Sequence, residues 1–220
     1  SSILLGPPEP VIGMREPDEP NRRRLLVFFG ILAVFAVLVW IVSLAVDASP
    51  IALAPAYMFS PLLAGLAVCY RFDVPLSAVG LRLGRPRWLA VAATIAIPLV
   101  GLTLALSIFV PGVTFDPSTD PVPGLGLPAG LPGLAATFAL VLAAGVTINA
   151  VFAFGEEFGW RGYLLWELAP CGFWKASVAI GAAWGLWHAP VIVAGYNYPS
   201  FPAVGVFAMT VACVSFSPLY

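Results

Sequence analysis

Leu25–Val46 reads LLVFFGILAVFAVLVWIVSLAV, 22 residues without a charge. At a rise of about 1.5 Å per residue a helix of that length covers about 33 Å, enough to cross a hydrocarbon core of about 30 Å. Arg22, Arg23 and Arg24 stand immediately before it and Asp47 immediately after. The run is too long for the apolar region of a signal peptide and is read as the first of several membrane spans. Working outward, a second span is expected over Ile51–Tyr70, interrupted by Pro55 and Pro61, and a third over Leu89–Val110 with Pro98 inside it. Prolines are tolerated in such helices where neighbours satisfy the freed carbonyls. Pro111–Pro132, rich in Pro and Gly and carrying Asp116 and Asp120, reads as a loop. A fourth span starts near Gly133 and passes through Ala153, a fifth runs from about Phe173 to Ala194, and a sixth from about Ala203 towards Tyr220.

Composition agrees with this partition. Hydrophobic residues make up 60% of the 220, charged residues only 10%, and the mean hydropathy is +0.97. A soluble domain carries roughly a quarter charged residues, so a water-covered globule is excluded. The expected fold is all-α, a polytopic transmembrane helix bundle over residues 22–220 in contact with membrane lipids, with residues 1–21 as a proline-rich disordered leader. The three cysteines, Cys69, Cys171 and Cys213, match neither a zinc motif nor a disulfide framework and read as small core residues. No repeat, heptad, phosphate loop or nucleic-acid motif is present. The basic residues segregate: Arg22–Arg24 precede span one, Arg71, Arg82, Arg85 and Arg87 join spans two and three, and Arg161 and Lys175 join spans four and five. The opposite loops carry only Asp47, Asp116 and Asp120. By the positive-inside rule the N-terminus is expected in the cytoplasm, in a cell (inner) membrane.

One stretch breaks the composition: Gly155-Glu156-Glu157-Phe158-Gly159-Trp160-Arg161-Gly162-Tyr163-Leu164-Leu165. Adjacent carboxylates in a membrane helix face a bundle interior or a water-filled cavity, because lipid cannot solvate them. Glu157 and Arg161 are i,i+4 neighbours and can pair, whereas Glu156 points about 100° away and has no local cation. The pair thus divides into a structural acid and a free one. His188, the sole histidine, sits in Trp184-Gly185-Leu186-Trp187-His188-Ala189-Pro190, well inside an apolar helix where its ring needs a partner. Gly155 with Gly159, and Gly181 with Gly185, have the small-xxx-small spacing of close helix contacts, which would let spans four and five bring Glu156 and His188 into one cavity. Pro190 cannot donate to the carbonyl of Leu186, so a bend beside His188 is expected. Asn149 and Glu167 are weaker candidates, the first as an interhelical donor, the second on an interfacial stretch.

Glu156-Glu157-x-x-x-Arg161, followed by Gly162 and Leu164-Leu165, and then Trp184 four residues before His188, resembles the CPBP family of intramembrane proteases. That family includes type II CAAX prenyl endopeptidases and bacterial Abi proteins. The resemblance covers about Phe154–Pro190, with Trp184 in place of the commoner Phe. It implies that Glu156 and His188 are catalytic and activate a water, that Glu157 and Arg161 support the site, and that the substrate is a peptide or membrane protein. Burial of the diacid fits general-base chemistry with Glu156 as the base. A divalent metal such as zinc stays open: Glu156, Glu157 and His188 are the candidate ligands, and a zinc site normally takes at least three from the protein. The family's third motif, a later histidine followed four residues on by Asn or Asp, is not in this chain, so the six spans are expected to be a fragment of about eight. The competing readings are a non-enzymatic CPBP-like membrane partner or bacteriocin-immunity-type protein, and a proton-coupled transporter, for which no inverted repeat is visible. One geometric difficulty accompanies the catalytic reading, since His188 lies deep in span five while Glu156 stands near the end of span four.

Overall fold

The computed structural model describes residues 17–81, 85–114, 125–128 and 130–219, which contain helices and no strand. Most of the expected leader, Arg82 and the loop acids Asp116 and Asp120 lie outside the described residues. The chain forms two compact units, one from the parts up to Arg82 and from Phe152 onward, the other Leu83–Val151.

In the first unit, α1 (Arg22–Ala45) opens with Asn21 as its cap, whose side chain accepts from the Arg23 and Arg24 backbone N–H groups at 2.9 and 3.3 Å. A cap of this kind satisfies donors that the first turn of a helix leaves without partners. After a short 3₁₀ turn (Pro50–Leu53) the chain continues through α2 (Ala54–Tyr57) and α3 (Ser60–Arg71). Phe28, Leu32 and Val39 of α1 pack with Tyr57, Ala64, Val68 and Cys69 to form the core, joined by Trp160, Tyr163 and Leu164 from a later turn. Beyond its arginines, much of the rest of α1 is apolar and uncovered: Leu44 is 79% exposed and Leu26 62%. A helix that is apolar all round while packing on one side only is suited to lipid, not water.

The second unit contains α4 (Pro86–Ser107), with Pro98 inside it, and α5 (Leu131–Ala144), followed by a π-helical turn over Gly145–Asn149. Its hydroxyls close onto their own helices: Thr94 donates to the Ala90 carbonyl at 2.9 Å, Thr137 to Gly133 at 2.9 Å and Thr147 to Ala143 at 2.6 Å. That leaves those hydroxyls satisfied without water.

The chain continues through α6 (Ala150–Glu157), a π-helical turn over Phe158–Leu164, and α7 (Leu165–Leu168). Then follow α8 (Phe173–Trp187), α9 (Ala189–Val193) and α10 (Pro202–Phe216). Among the described residues five helical runs are long and apolar enough to cross a membrane: Arg22–Ala45, Pro50–Arg71, Leu131–Cys171, Phe173–Val193 and Pro202–Leu219. The protein is a multi-pass helical membrane protein, and α4 is a further helix of 22 residues.

Three expectations change. The glycine pairs do not join spans four and five. A Cβ on Gly155 would meet Phe59 at 2.9 Å and one on Gly159 would run into Pro61, whereas Gly181 abuts Val214 and Gly185 abuts Thr210. Each pair lets its own helix approach a different neighbour, α6 and the π turn against the start of α3, and α8 against α10. Cys69 and Cys213 are buried as expected, but Cys171 is exposed, in the turn that ends the long run. Arg161 lies within helix, not in a loop between spans.

Candidate functional site

The long run Leu131–Cys171 has 41 residues, about twice the 20 or so that a span needs. Glu156 therefore sits inside the helical run and not at its end. The carboxylate is 9% exposed, and its Oε2 accepts a hydrogen bond from the indole Nε1–H of Trp184 at 2.9 Å. Trp184 lies on α8 one turn before His188, whose Nδ1 is 2.8 Å from the Trp184 carbonyl. A carbonyl only accepts, so Nδ1 carries the proton and Nε2 is left as an acceptor. Glu156 and His188 thus share one neighbour, Trp184, which holds the first by its indole N–H and the second by its backbone carbonyl.

Glu157 and Arg161 pair as their spacing predicts, with Nη1 to Oε1 at 3.0 Å. The Arg161 guanidinium also stands over the Trp184 ring, 4.1 Å from its centroid. That geometry is a cation–π contact in which the planar fork lies on the aromatic face. Glu157 is 41% exposed at its side chain and Arg161 only 11%, so the cation is the more enclosed partner.

α8 stops at Trp187 and α9 starts at Ala189, with His188 at the break, as Pro190 requires. The break is anchored from α2 and α3. Tyr57 Oη donates to the Trp187 carbonyl at 3.0 Å, its ring stacks on Trp187 at 4.7 Å, and Trp187 Nε1–H donates to Ser60 Oγ at 3.0 Å. The Trp187 ring in turn meets the His188 imidazole edge-on at 4.9 Å. Sequence reading missed Tyr57 and Ser60, because nothing in their local apolar context marks them. The indole N–H of Trp184 carries no sequence signal either, because the motif marks that position only as an aromatic.

Glu167 differs most from its reading. It is fully buried, with Oε2 2.8 Å from Arg24 Nε and Oε1 accepting from Arg24 Nη2 at 3.3 Å and from the Asn21 backbone N–H at 2.5 Å. Tyr163 Oη adds a longer contact of 3.4 Å. Glu167 is a buried structural acid, and Arg24 is its counter-ion and not simply a topogenic surface charge. Asn149, the other weak candidate, lies in the π-helical turn of the second unit.

The metal question can be put to the donors themselves. Among the described residues no three His, Cys, Asp or Glu side chains converge, and Glu157 is engaged by Arg161. The set Glu156, Glu157 and His188 does not form a three-ligand zinc site.

A family model described as type II CAAX prenyl endopeptidase Rce1-like matches residues 136–217. The match covers Glu156, Glu157, Arg161, Trp184 and His188, and agrees with the resemblance carried by their spacing. No curated protein matches the chain, and no solved structure does.

Proposed function

We propose that this Rce1-like membrane protein is an intramembrane endopeptidase that cleaves a peptide bond of a membrane-associated substrate with a glutamate-activated water. The observation that carries the proposal is a buried carboxylate, Glu156, that accepts from the neutral indole N–H of Trp184, the residue whose carbonyl also holds His188 by Nδ1. A water between them would donate one hydrogen to Glu156 and the other to His188. Glu156 takes its proton as the water oxygen bonds to the scissile carbonyl carbon. Collapse of the tetrahedral intermediate breaks the C–N bond, and Glu156 returns the proton to the leaving nitrogen. Glu157 and Arg161 hold the helical turn beside the base. The arginine distribution supports an inner-membrane location with the N-terminus in the cytoplasm.

The name of the matched family points to a prenylated C-terminal motif, C-a-a-X, as the first substrate class to test. The full-length protein in liposomes is given a quenched fluorogenic peptide ending in that motif, with and without an S-farnesyl cysteine. Cleavage by the native protein, lost in Glu156→Gln at equal folded amount, is the expected result. Equal cleavage by both proteins would refute Glu156 as the base. A cleaved unprenylated peptide would keep the protease and discard the lipid requirement.

A further inference from the structure

Three contacts of the candidate site converge on Trp184. Its Nε1–H donates to Glu156, its ring lies under Arg161, and its carbonyl holds His188 Nδ1. Resting on the reading of Glu156 as the base, we propose that Trp184 is a positioning residue: its indole N–H fixes the carboxylate through Oε2 and leaves Oε1 to the water, while its ring keeps the Arg161 cation off the base.

The choice of donor matters. An ionised carboxylate has about four lone-pair sites, and an arginine fork occupies two oxygens at once with charge-assisted bonds. A base clamped in that way would be poorly placed to take a proton. A neutral indole offers one N–H and no charge, so it orients the group without occupying both oxygens. Arg161 is drawn aside twice, by Glu157 at 3.0 Å and by the indole face at 4.1 Å. The same side chain therefore both supplies the weak donor and diverts the strong one. Phenylalanine would fill much of the space and could stack with Arg161, but it has no donor for a carboxylate that is 9% exposed. Trp184 is itself placed by α8, whose Gly181 and Gly185 allow α10 to lie against its other side.

The test uses the full-length protein, with Trp184→Phe beside replacement of Trp184 by 3-benzothienylalanine, which keeps the bicyclic shape and replaces N–H with sulfur. The second variant guards against loss of packing in the first. The carboxyl vibration of Glu156 is isolated as the infrared difference between native protein and Glu156→Gln, and peptide cleavage is followed in the same samples. The expected result is a displaced band in both Trp184 variants, with kcat down about 10- to 100-fold and KM within about twofold, as for loss of a hydrogen bond to a buried charged group. An unmoved band overturns the inference whatever the peptides show. A displaced band with kcat within about twofold of native also overturns it, because Trp184 would then touch Glu156 without positioning it. If the native protein cleaves neither peptide while the band is displaced, proteolysis is what fails, and Trp184 stands as the residue that holds Glu156.

Discussion

Replacing Glu167 with Gln should destabilise the protein more than replacing either acid of the Glu156-Glu157 pair. Glu167 is fully buried and Arg24 only 16% exposed, with N–O contacts of 2.8 and 3.3 Å. Removing one charge leaves the guanidinium enclosed beside Trp166, 4.9 Å from the ring centroid, without its counter-ion. Breaking a buried pair in this way costs about 3–5 kcal/mol. Gln keeps a carbonyl oxygen for the Asn21 N–H, so the lower part of that range is expected, and Ala should reach the upper part. Glu157 pairs with Arg161 at a similar distance, but 41% of its side chain is exposed, so less buried charge is removed with it, and the Arg161 cation left behind still rests on the Trp184 ring at 4.1 Å. Glu167→Gln should therefore cost more than Glu157→Gln. Reversible unfolding in mixed micelles, titrated with a denaturing detergent and followed by tryptophan fluorescence, reads the difference directly. The double change Arg24→Met with Glu167→Met should recover most of the loss, since an apolar pair removes both buried charges. If Glu157→Gln costs as much as Glu167→Gln, or the double change costs the sum of the singles, the assignment of Glu167 and Arg24 as the buried pair is wrong.

Glu156→Gln should abolish cleavage while the folded amount in membranes stays near native, checked by peptide turnover beside detergent extraction. Gly159→Ala should cost about 1–3 kcal/mol, because the new methyl would meet the Pro61 backbone, with its C and O at 2.6 Å. Gly101→Ala, with nothing within 4 Å of the added carbon, should be neutral or slightly stabilising in the same unfolding assay. A cysteine placed at position 116 should label from outside the cell and one at position 85 only after permeabilisation. The reverse pattern would overturn the cytoplasmic N-terminus.

The spans were legible because lipid imposes a single demand, a continuous apolar helix, and the runs at Leu25, Ile51, Phe173 and Ala203 meet it within three residues of their ends. The Glu157–Arg161 contact was legible for a similar reason, as i,i+4 spacing is a property of one helix. Pairings between helices were not. Small-xxx-small spacing says that something packs closely at Gly155 and Gly181, but the spacing is the same whichever helix arrives: the start of α3 lies where span five was expected against the first pair, and α10 where span four was expected against the second. Arg24 and Glu167 are separated by 143 residues, so no local pattern distinguishes this arginine from the two beside it. The aromatic before His188 was visible as a ring, while the direction of its N–H depends on where α6 lies.

The π-helical turn at Phe158–Leu164 bears on where the two buried acids point. Glu156 and Glu167 are eleven residues apart, and in an uninterrupted helix of 3.6 residues per turn that separation brings side chains back to within about 20° of the same meridian. Both acids would then lie on one side of the helix and could not face separate neighbours. A wide turn that absorbs one extra residue rotates everything after it by about 100°, so that Glu156 addresses α8 and Glu167 addresses α1. The turn acts as a phase shifter between two otherwise identical chemical groups. Deleting a single residue from it would leave the acids ten residues apart in regular helix, about 80° short of three whole turns, so Glu167 would still face Arg24 after the wide turn itself was lost.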